Sequence, residues 1–284
     1  MAELLKGKPV ADKLDELTQK RVSALKEKGI TPQLATIRVG EREDDISYEK
    51  SAGKRCKKNG IEVYNIILSK ECTNKELLSV IKELNEDEKI HGILMFRPLP
   101  KTLDEQAACD AILPCKDVDG ITKGSMAYIY SGKGEGFAPC TSQAVMEMLD
   151  FYGCDLQGKK ATIVGRSLVI GKPVSMLFMN KNATVTICHS KTTNMIEKTQ
   201  NADIVVAAIG KAKMLKKEYF AKGQTVIDVG INYCKENQKF VGDVDFEGVE
   251  DVVSKITPVP GGVGSVTTAV LAMHVVDAAE NLFR

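Results

Sequence analysis

Apolar residues fall in short, unbroken runs separated by longer stretches with helical spacing. The runs predict strands over Gln33–Val39, Val63–Leu68, Gly92–Met95, Lys160–Val164, Thr184–Cys188, Ile204–Ala208 and Thr225–Val229. Most are rich in Val and Ile and lack polar alternation, the pattern of strands covered on both faces in a parallel sheet. Between them, Asp45–Asn59, Lys75–Asn85 and Thr141–Tyr152 read as amphipathic helices. Strand and helix in alternation imply right-handed βαβ units, hence an α/β fold. The pattern lapses between Pro98 and Pro139, where Pro, Gly, Cys and Asp dominate and the loop SGKGEGFAPCT ends the stretch. A domain junction is expected at Pro139–Ser142. That gives an N-terminal α/β domain over 1–140 and a second domain over 141–264, with a last helix (Ser265–Phe283, within 265–284) packing back onto the first.

The segment KKATIVGRSLVIGKPVSMLF, Lys159 to Phe178, carries the clearest local chemistry. A buried strand ends at Val164, a turn from Gly165 to Gly171 follows, and Pro173 sits in the first turn of the next helix, where a missing N–H costs little. A helix N-terminus offers free N–H groups and a positive dipole end to a phosphate, and glycine lets the backbone approach it. The spacing is not G-x-G-x-x-G, so an ordinary βα turn remains the alternative. The next strand ends in His189, Ser190 and Lys191, where an NAD-binding domain tends to place a carboxylate for the ribose 2′-OH. A hydroxyl, an imidazole and an ammonium, with Arg166 in the preceding loop, suit a 2′-phosphate instead. NADP is therefore expected over NAD, with helix capping as the alternative for His189. Strands ending at Ala207–Gly210 and Asp228–Asn232 add glycines where cofactors lie in open α/β sheets.

Composition narrows the classes. The chain has 284 residues, 43% hydrophobic and 27% charged, with a net charge of +1. Nothing in that balance favours nucleic acid or an anionic membrane. The N-terminal segment is charged throughout, unlike a secretory signal, and no run approaches the length of a membrane span. Eight cysteines are scattered without a C-x-x-C pair, which reads as reduced thiols and a cytoplasmic setting. His91, His189 and His274 lack ligand spacing, so no metal site is expected. The cluster Lys211–Lys217 reads as solvated surface.

One loop needs more than secondary structure to explain it: Thr257 to Gly264, TPVPGGVG, must hold a particular backbone shape. Together with VGRSLVIGKP (164–173), CHSKT (188–192), DVGIN (228–232), GDV (242–244) and KDVDG (116–120), it makes the chain resemble the bifunctional methylenetetrahydrofolate dehydrogenase/methenyltetrahydrofolate cyclohydrolase family. The resemblance covers nearly the whole chain. It implies an N-terminal catalytic domain, a C-terminal Rossmann domain for NADP, a folate cleft between them, and a homodimer. It places NADP against Gly165, Arg166, Ser167, Ser190 and Ile231. It assigns the pterin to Asp119, a lining role to Pro260, Gly261 and Gly262, and the flank of the reactive carbon to Tyr48. Tyr48 and Asp119 are the catalytic residues it implies.

Two departures stand out. The family's helix reads S-x-x-Y-x-x-x-K. Here the tyrosine is Tyr48, but the serine position holds Asp45 and the lysine position Ala52. In the family's G-x-L-V-Q-x-P-L-P segment the glutamine position holds Phe96. Lys50 and Lys54 lie two positions from Ala52, roughly 160–200° around a helix, and do not share its face. Water addition to the methenyl carbon needs proton transfers, whereas hydride transfer does not. The expected function is NADP-dependent oxidation of 5,10-methylenetetrahydrofolate with cyclohydrolase weak or absent, and a separate cyclohydrolase acting in the same pathway. The alternatives are a fully bifunctional enzyme, with Asp45 or Arg97 serving instead, and a non-catalytic folate- or NADP-binding scaffold. Cys188 and Cys140 are given no chemical role.

Overall fold

The computed structural model describes residues 1–234 and 238–282. Its strands, in chain order, are β1 (Glu3–Leu4), β2 (Gln33–Val39), β3 (Glu62–Leu68), β4 (Gly92–Met95), β5 (Lys160–Val164), β6 (Thr184–Cys188), β7 (Ile204–Ala207), β8 (Thr225–Asp228), β9 (Asn232–Cys234), β10 (Lys239–Val241) and β11 (Lys255–Ile256). The helices are α1 (Gly7–Glu27), α2 (Glu43–Lys58), α3 (Asn74–Glu86), α4 (Glu105–Ala111), α5 (Lys123–Ser131), α6 (Cys140–Phe151), α7 (Gly171–Asn180), α8 (Met195–Gln200), α9 (Phe246–Val249) and α10 (Thr267–Asn281). The predicted end of the last helix, at Phe283, lies outside the described residues.

Two compact units form. One joins Lys13–Cys140 with Thr268–Arg284, the other Met1–Asp12 with Thr141–Thr267. In the first, β2 lies between β3 and β4, all parallel. Ile37, Ile93 and Met95 pack with Leu77 and Ile81 of α3 and Ile112 to form its core. β2 and β4 are buried along almost their whole length. Of the two edge strands, β4 is buried, while β3 leaves Tyr64 and Ile67 exposed, so covering on both faces holds for β2 and β4 but not for β3. α3 begins with a capping box: the Thr73 hydroxyl accepts from the Glu76 N–H, and the Glu76 carboxylate accepts from the Thr73 N–H. From Thr268 onward α10 is buried on nearly every side, as its Ala- and Val-rich sequence allows.

In the second unit the sheet order is β1-β11-β8-β7-β5-β6, every pairing parallel. The chain leaves β5 for β6 on one side, then crosses back to β7 on the other. β5 and β7 are therefore the switch point, where open α/β sheets form a crevice at the strands' carboxyl ends. β1 is too short to show in the hydrophobic pattern, yet it extends this sheet through β11. Among the described residues, no helix is long and apolar enough to cross a membrane.

Candidate functional site

In the first unit, chemistry gathers at α2 and the loop after β4. Arg38 of β2 donates from Nε to Glu49 of α2 at 3.0 Å, and both are buried. The Thr36 hydroxyl donates to Asn65 Oδ1 at 2.9 Å and lies 3.3 Å from the same glutamate. This paired charge fixes how α2 is rotated over β2. The buried positions of α2 are Asp45, Glu49, Ala52 and Cys56, one stripe at helical spacing, with Tyr48 half-buried beside it. Ala52 is 0% exposed, and Lys50 and Lys54 point to solvent. The Phe96 N–H donates to Ile37 O at 2.9 Å and so continues the β2–β4 ladder by one residue. That places the Phe96 ring edge-on to Tyr48, centroids 6.0 Å apart.

Asp119 comes from the KDVDG segment, in which each residue has its own task. Lys116, buried, donates to the carbonyls of Leu84, Asn85 and Asp87 at the end of α3. The Asp117 carboxylate accepts from the Ile121 and Thr122 N–H groups and the Ser125 hydroxyl at the start of α5. The Val118 carbonyl accepts from His274 and Cys140. Gly120 has φ +65°, and a Cβ there would lie 2.5–2.6 Å from the backbone of 137–139, so only glycine fits. Asp119 itself is left half-buried, with no ion pair among the described residues. Burial pushes its carboxyl up to about 6, and the Asp117 charge adds to this, while the Cys140 thiol and the Arg97 charge oppose it. Burial also pushes the Tyr48 hydroxyl well up, and Asp119, Cys140 and Cys56 raise it further. Tyr48 and Asp119 thus act on each other, and the groups bearing on the Tyr48 hydroxyl are acidic. Asp45 is buried 3.8 Å from Arg42 and is not one of them.

In the second unit, Gly165 follows β5 at φ +135°, its N–H donating to Cys188 O at 2.9 Å. A Cβ there would fall on the Ala208 carbonyl, across the β5/β7 switch point. One on Gly171 would fall on the Gly165 carbonyl, so the loop closes down on the start of α7. The Ser167 hydroxyl accepts from the Ile170 N–H at 3.1 Å. Ser142 ties the loop to α6 by donating to Val169 O at 2.8 Å. Arg166, Ser167, Ser190 and Lys191 are exposed, and Ile231 is 60% exposed. His189 turns back on its own loop: its Nδ1 accepts from the Lys191 N–H at 3.2 Å. A bare glycine backbone at the head of α7, at the switch point and beside an exposed Arg and Ser, fits a dinucleotide's phosphates.

The loop from Thr257 to Gly264 is held at two points. The Thr257 hydroxyl accepts from the Asp228 N–H at 2.7 Å, and the Gly7 N–H donates to Gly261 O at 2.8 Å. Pro260, Gly261 and Gly262 line one cavity of about 280 Å³ with Val229, Gly230 and Ile231. Beneath it, two buried aspartates interlock. Asp228 accepts from the Gly230, Asp243 and Val244 N–H groups, while Asp243 accepts from those of Ile209, Gly210 and Lys211. A Cβ on Gly242 would strike the Asp228 carboxylate, and one on Gly230 the Asp243 carboxylate. Burial, the largest influence, pushes the Asp228 carboxyl up to about 7. The motif matches singled out these segments, but gave no sign of Lys116, Asp117 or Gly7 as supports.

A small parallel-sheet unit bearing a Tyr–Asp pair, with a nucleotide-type sheet carrying a glycine loop at its switch point, is the anatomy of a two-domain α/β enzyme. The tetrahydrofolate dehydrogenase/cyclohydrolase catalytic domain matches residues 5–119, and the corresponding NAD(P)-binding domain matches residues 139–283. The Bifunctional protein FolD of Carboxydothermus hydrogenoformans is 50% identical over 283 residues, 99% of each chain. The crystal structure of the bifunctional FolD methylenetetrahydrofolate dehydrogenase/cyclohydrolase from Campylobacter jejuni matches with a TM-score of 0.96 at 40% identity, covering 99% of each chain. The Trypanosoma brucei methylenetetrahydrofolate dehydrogenase-cyclohydrolase, complexed with NADP and an inhibitor, matches with a TM-score of 0.92 at 32% identity, over 100% of this chain and 99% of that one. The chain belongs to the tetrahydrofolate dehydrogenase/cyclohydrolase family.

Proposed function

We propose that this protein oxidises 5,10-methylenetetrahydrofolate with NADP and has little or no cyclohydrolase activity. The observation that carries the second half is the wall beside Tyr48. Where a lysine and a glutamine are expected, a fully buried Ala52 and a Phe96 ring packed edge-on against Tyr48 supply no side chain that could carry a proton. The three groups acting on the Tyr48 hydroxyl are acids and thiols.

Dehydrogenation asks less of these residues. NADP, when bound, supplies the acceptor for the hydride. The methylene carbon loses a C–H bond with its electron pair, and its two nitrogens stabilise the resulting cation. The protein positions the reactants and keeps water away. Asp119, ionised, accepts hydrogen bonds from the pterin N–H groups. Tyr48 and Phe96 flank the reacting carbon with apolar surface, and Pro260, Gly261 and Gly262 line the pocket. Gly165 and Ser167 take the pyrophosphate, Arg166 and Ser190 the 2′-phosphate, and Ile231 lies against the cofactor. The curated relative from Carboxydothermus hydrogenoformans is named bifunctional; the proposal is that this chain keeps one of the two activities, with a separate cyclohydrolase completing the sequence.

The test gives purified protein 5,10-methenyltetrahydrofolate without nucleotide and follows its absorbance against a buffer blank. The forward reaction, with methylenetetrahydrofolate and NADP, runs beside it. NADPH formation with no hydrolysis above blank is expected. Rapid hydrolysis would make the enzyme bifunctional and place the proton transfer elsewhere, with Arg97, whose charge bears on Asp119, as the first residue to replace. Cofactor binding with no NADPH formed would point to a scaffold.

A further inference from the structure

We propose that His274, on α10, is a positioning residue for the Asp119 carboxylate, acting through the Val118 carbonyl. The inference rests on the reading that Asp119 takes the pterin. His274 is 156 residues from Val118 in sequence, yet its Nδ1 lies 2.9 Å from the Val118 oxygen. A carbonyl can only accept, so Nδ1 carries the proton. Complete burial lowers the imidazole's basicity and keeps it neutral, with its one N–H committed to this bond. The Phe137 ring lies 4.9 Å from the imidazole, tilted by 37°, and fixes its plane. The Cys140 thiol donates to the same oxygen at 3.2 Å. His274 and Cys140 are therefore both donors to one acceptor, and their 3.8 Å approach is not a thiol–imidazole acid–base pair.

What that carbonyl controls follows from peptide geometry. The Val118 C=O is coplanar with the Asp119 nitrogen and Cα. Two donors fixing the oxygen thus fix the plane from which the Asp119 side chain departs. On the other side of Asp119, the Gly120 N–H donates to Asp117 O at 3.1 Å, and Gly120 packs against 137–139. The residue is clamped fore and aft, while its carboxylate remains available. Of these supports, His274 comes from the far end of the chain and has no motif to mark it.

The experiment compares His274→Leu, which removes the donor, with His274→Asn, whose amide nitrogen is the same number of bonds from Cα as Nδ1. Steady-state dehydrogenase kinetics and thermal melting are read on both. Losing one buried hydrogen bond of ordinary strength is expected to raise the folate KM about tenfold in the leucine variant. The NADP KM should stay within about twofold, and asparagine should return the folate KM toward that of the parent. A leucine variant with a lower melting temperature but an unchanged folate KM, or equal changes in both KM values, or no rescue by asparagine, would overturn the proposal. Should the leucine variant not fold, His274→Phe, which removes the donor but keeps a flat ring beside Phe137, is read in its place, with the same rise in the folate KM expected and an unchanged folate KM overturning the proposal. Asp119→Asn separates the two levels. If it leaves the folate KM unchanged, the pterin assignment itself is wrong and the positioning role goes with it. If it raises the folate KM while His274→Leu does not, only the positioning role fails.

Discussion

The rings of Tyr48 and Phe96 meet edge to face, with centroids 6.0 Å apart and planes at 82°. Edge-to-face contact is a favoured aromatic geometry, worth about 0.5–1.5 kcal/mol beyond burial. Phe96 stands where the family resemblance puts a glutamine, and Ala52 where it puts a lysine. Ala52→Lys combined with Phe96→Gln is therefore expected to create or raise methenyl hydrolysis at least tenfold. It should also lower the melting temperature, because a long cationic side chain enters a position that is 0% exposed. The nucleotide-free absorbance assay and a thermal melt check both; unchanged hydrolysis in a folded double variant would show that these two positions do not limit the reaction.

Asp119 gives a pH dependence with a definite sign. Its carboxyl stands at about 6 in the folded protein against an ordinary value of 3.8. The folded state holds this proton more tightly than the unfolded chain does. The stabilising contribution is complete below about pH 3.8 and is lost as pH rises through 6, so the charged form costs the fold up to about 3 kcal/mol at neutral pH. Asp119→Asn should melt at a higher temperature than the parent at pH 7.5, with the gap closing toward pH 4. The same substitution should raise the folate KM, and the parent's folate KM should itself rise as pH falls below about 6.

Gly165→Ala should weaken cofactor binding. The new methyl group would fall on the Ala208 carbonyl, at a φ of +135° that side chains rarely adopt. Titration with NADPH, read by fluorescence, should show at least a tenfold weaker Kd, together with a melting temperature several degrees lower. Parent-like affinity would remove this loop from the cofactor site.

Arg166→Ala addresses coenzyme choice. If the guanidinium meets the 2′-phosphate, the NADP KM should rise about tenfold while the NAD KM hardly moves. The effect should shrink as salt is added, because Arg166 is exposed. Equal effects on both coenzymes would place Arg166 on the shared pyrophosphate instead.

Much of the fold was legible. The strand at Gln33–Val39 and the three at Gly92–Met95, Lys160–Val164 and Thr184–Cys188 have the bounds their apolar runs predict. The strands β3 and β6 were found, but they are not covered on both faces as their apolar runs suggest, since such a run looks alike whether or not a helix or another segment packs over it. β1 escaped because a two-residue strand has no period, and the α1 helix because its apolar stripe is diluted by lysines. At the site, the glycine loop and Asp119 carried motifs. Lys116 lies in the same motif as Asp119, but its task, donating to three carbonyls, is defined by tertiary contacts, and His274, bonded across the length of the chain, carried no motif at all.

The interlocked aspartates bear on how this sequence can drift. Asp228 fills the space a side chain on Gly242 would need, and Asp243 fills the space a side chain on Gly230 would need. Each carboxylate in turn holds backbone that the other's loop depends on. The four positions form one heritable block, in which a change at any single member is penalised before a second can compensate. Variation near the cofactor loop is thereby steered away from these four positions.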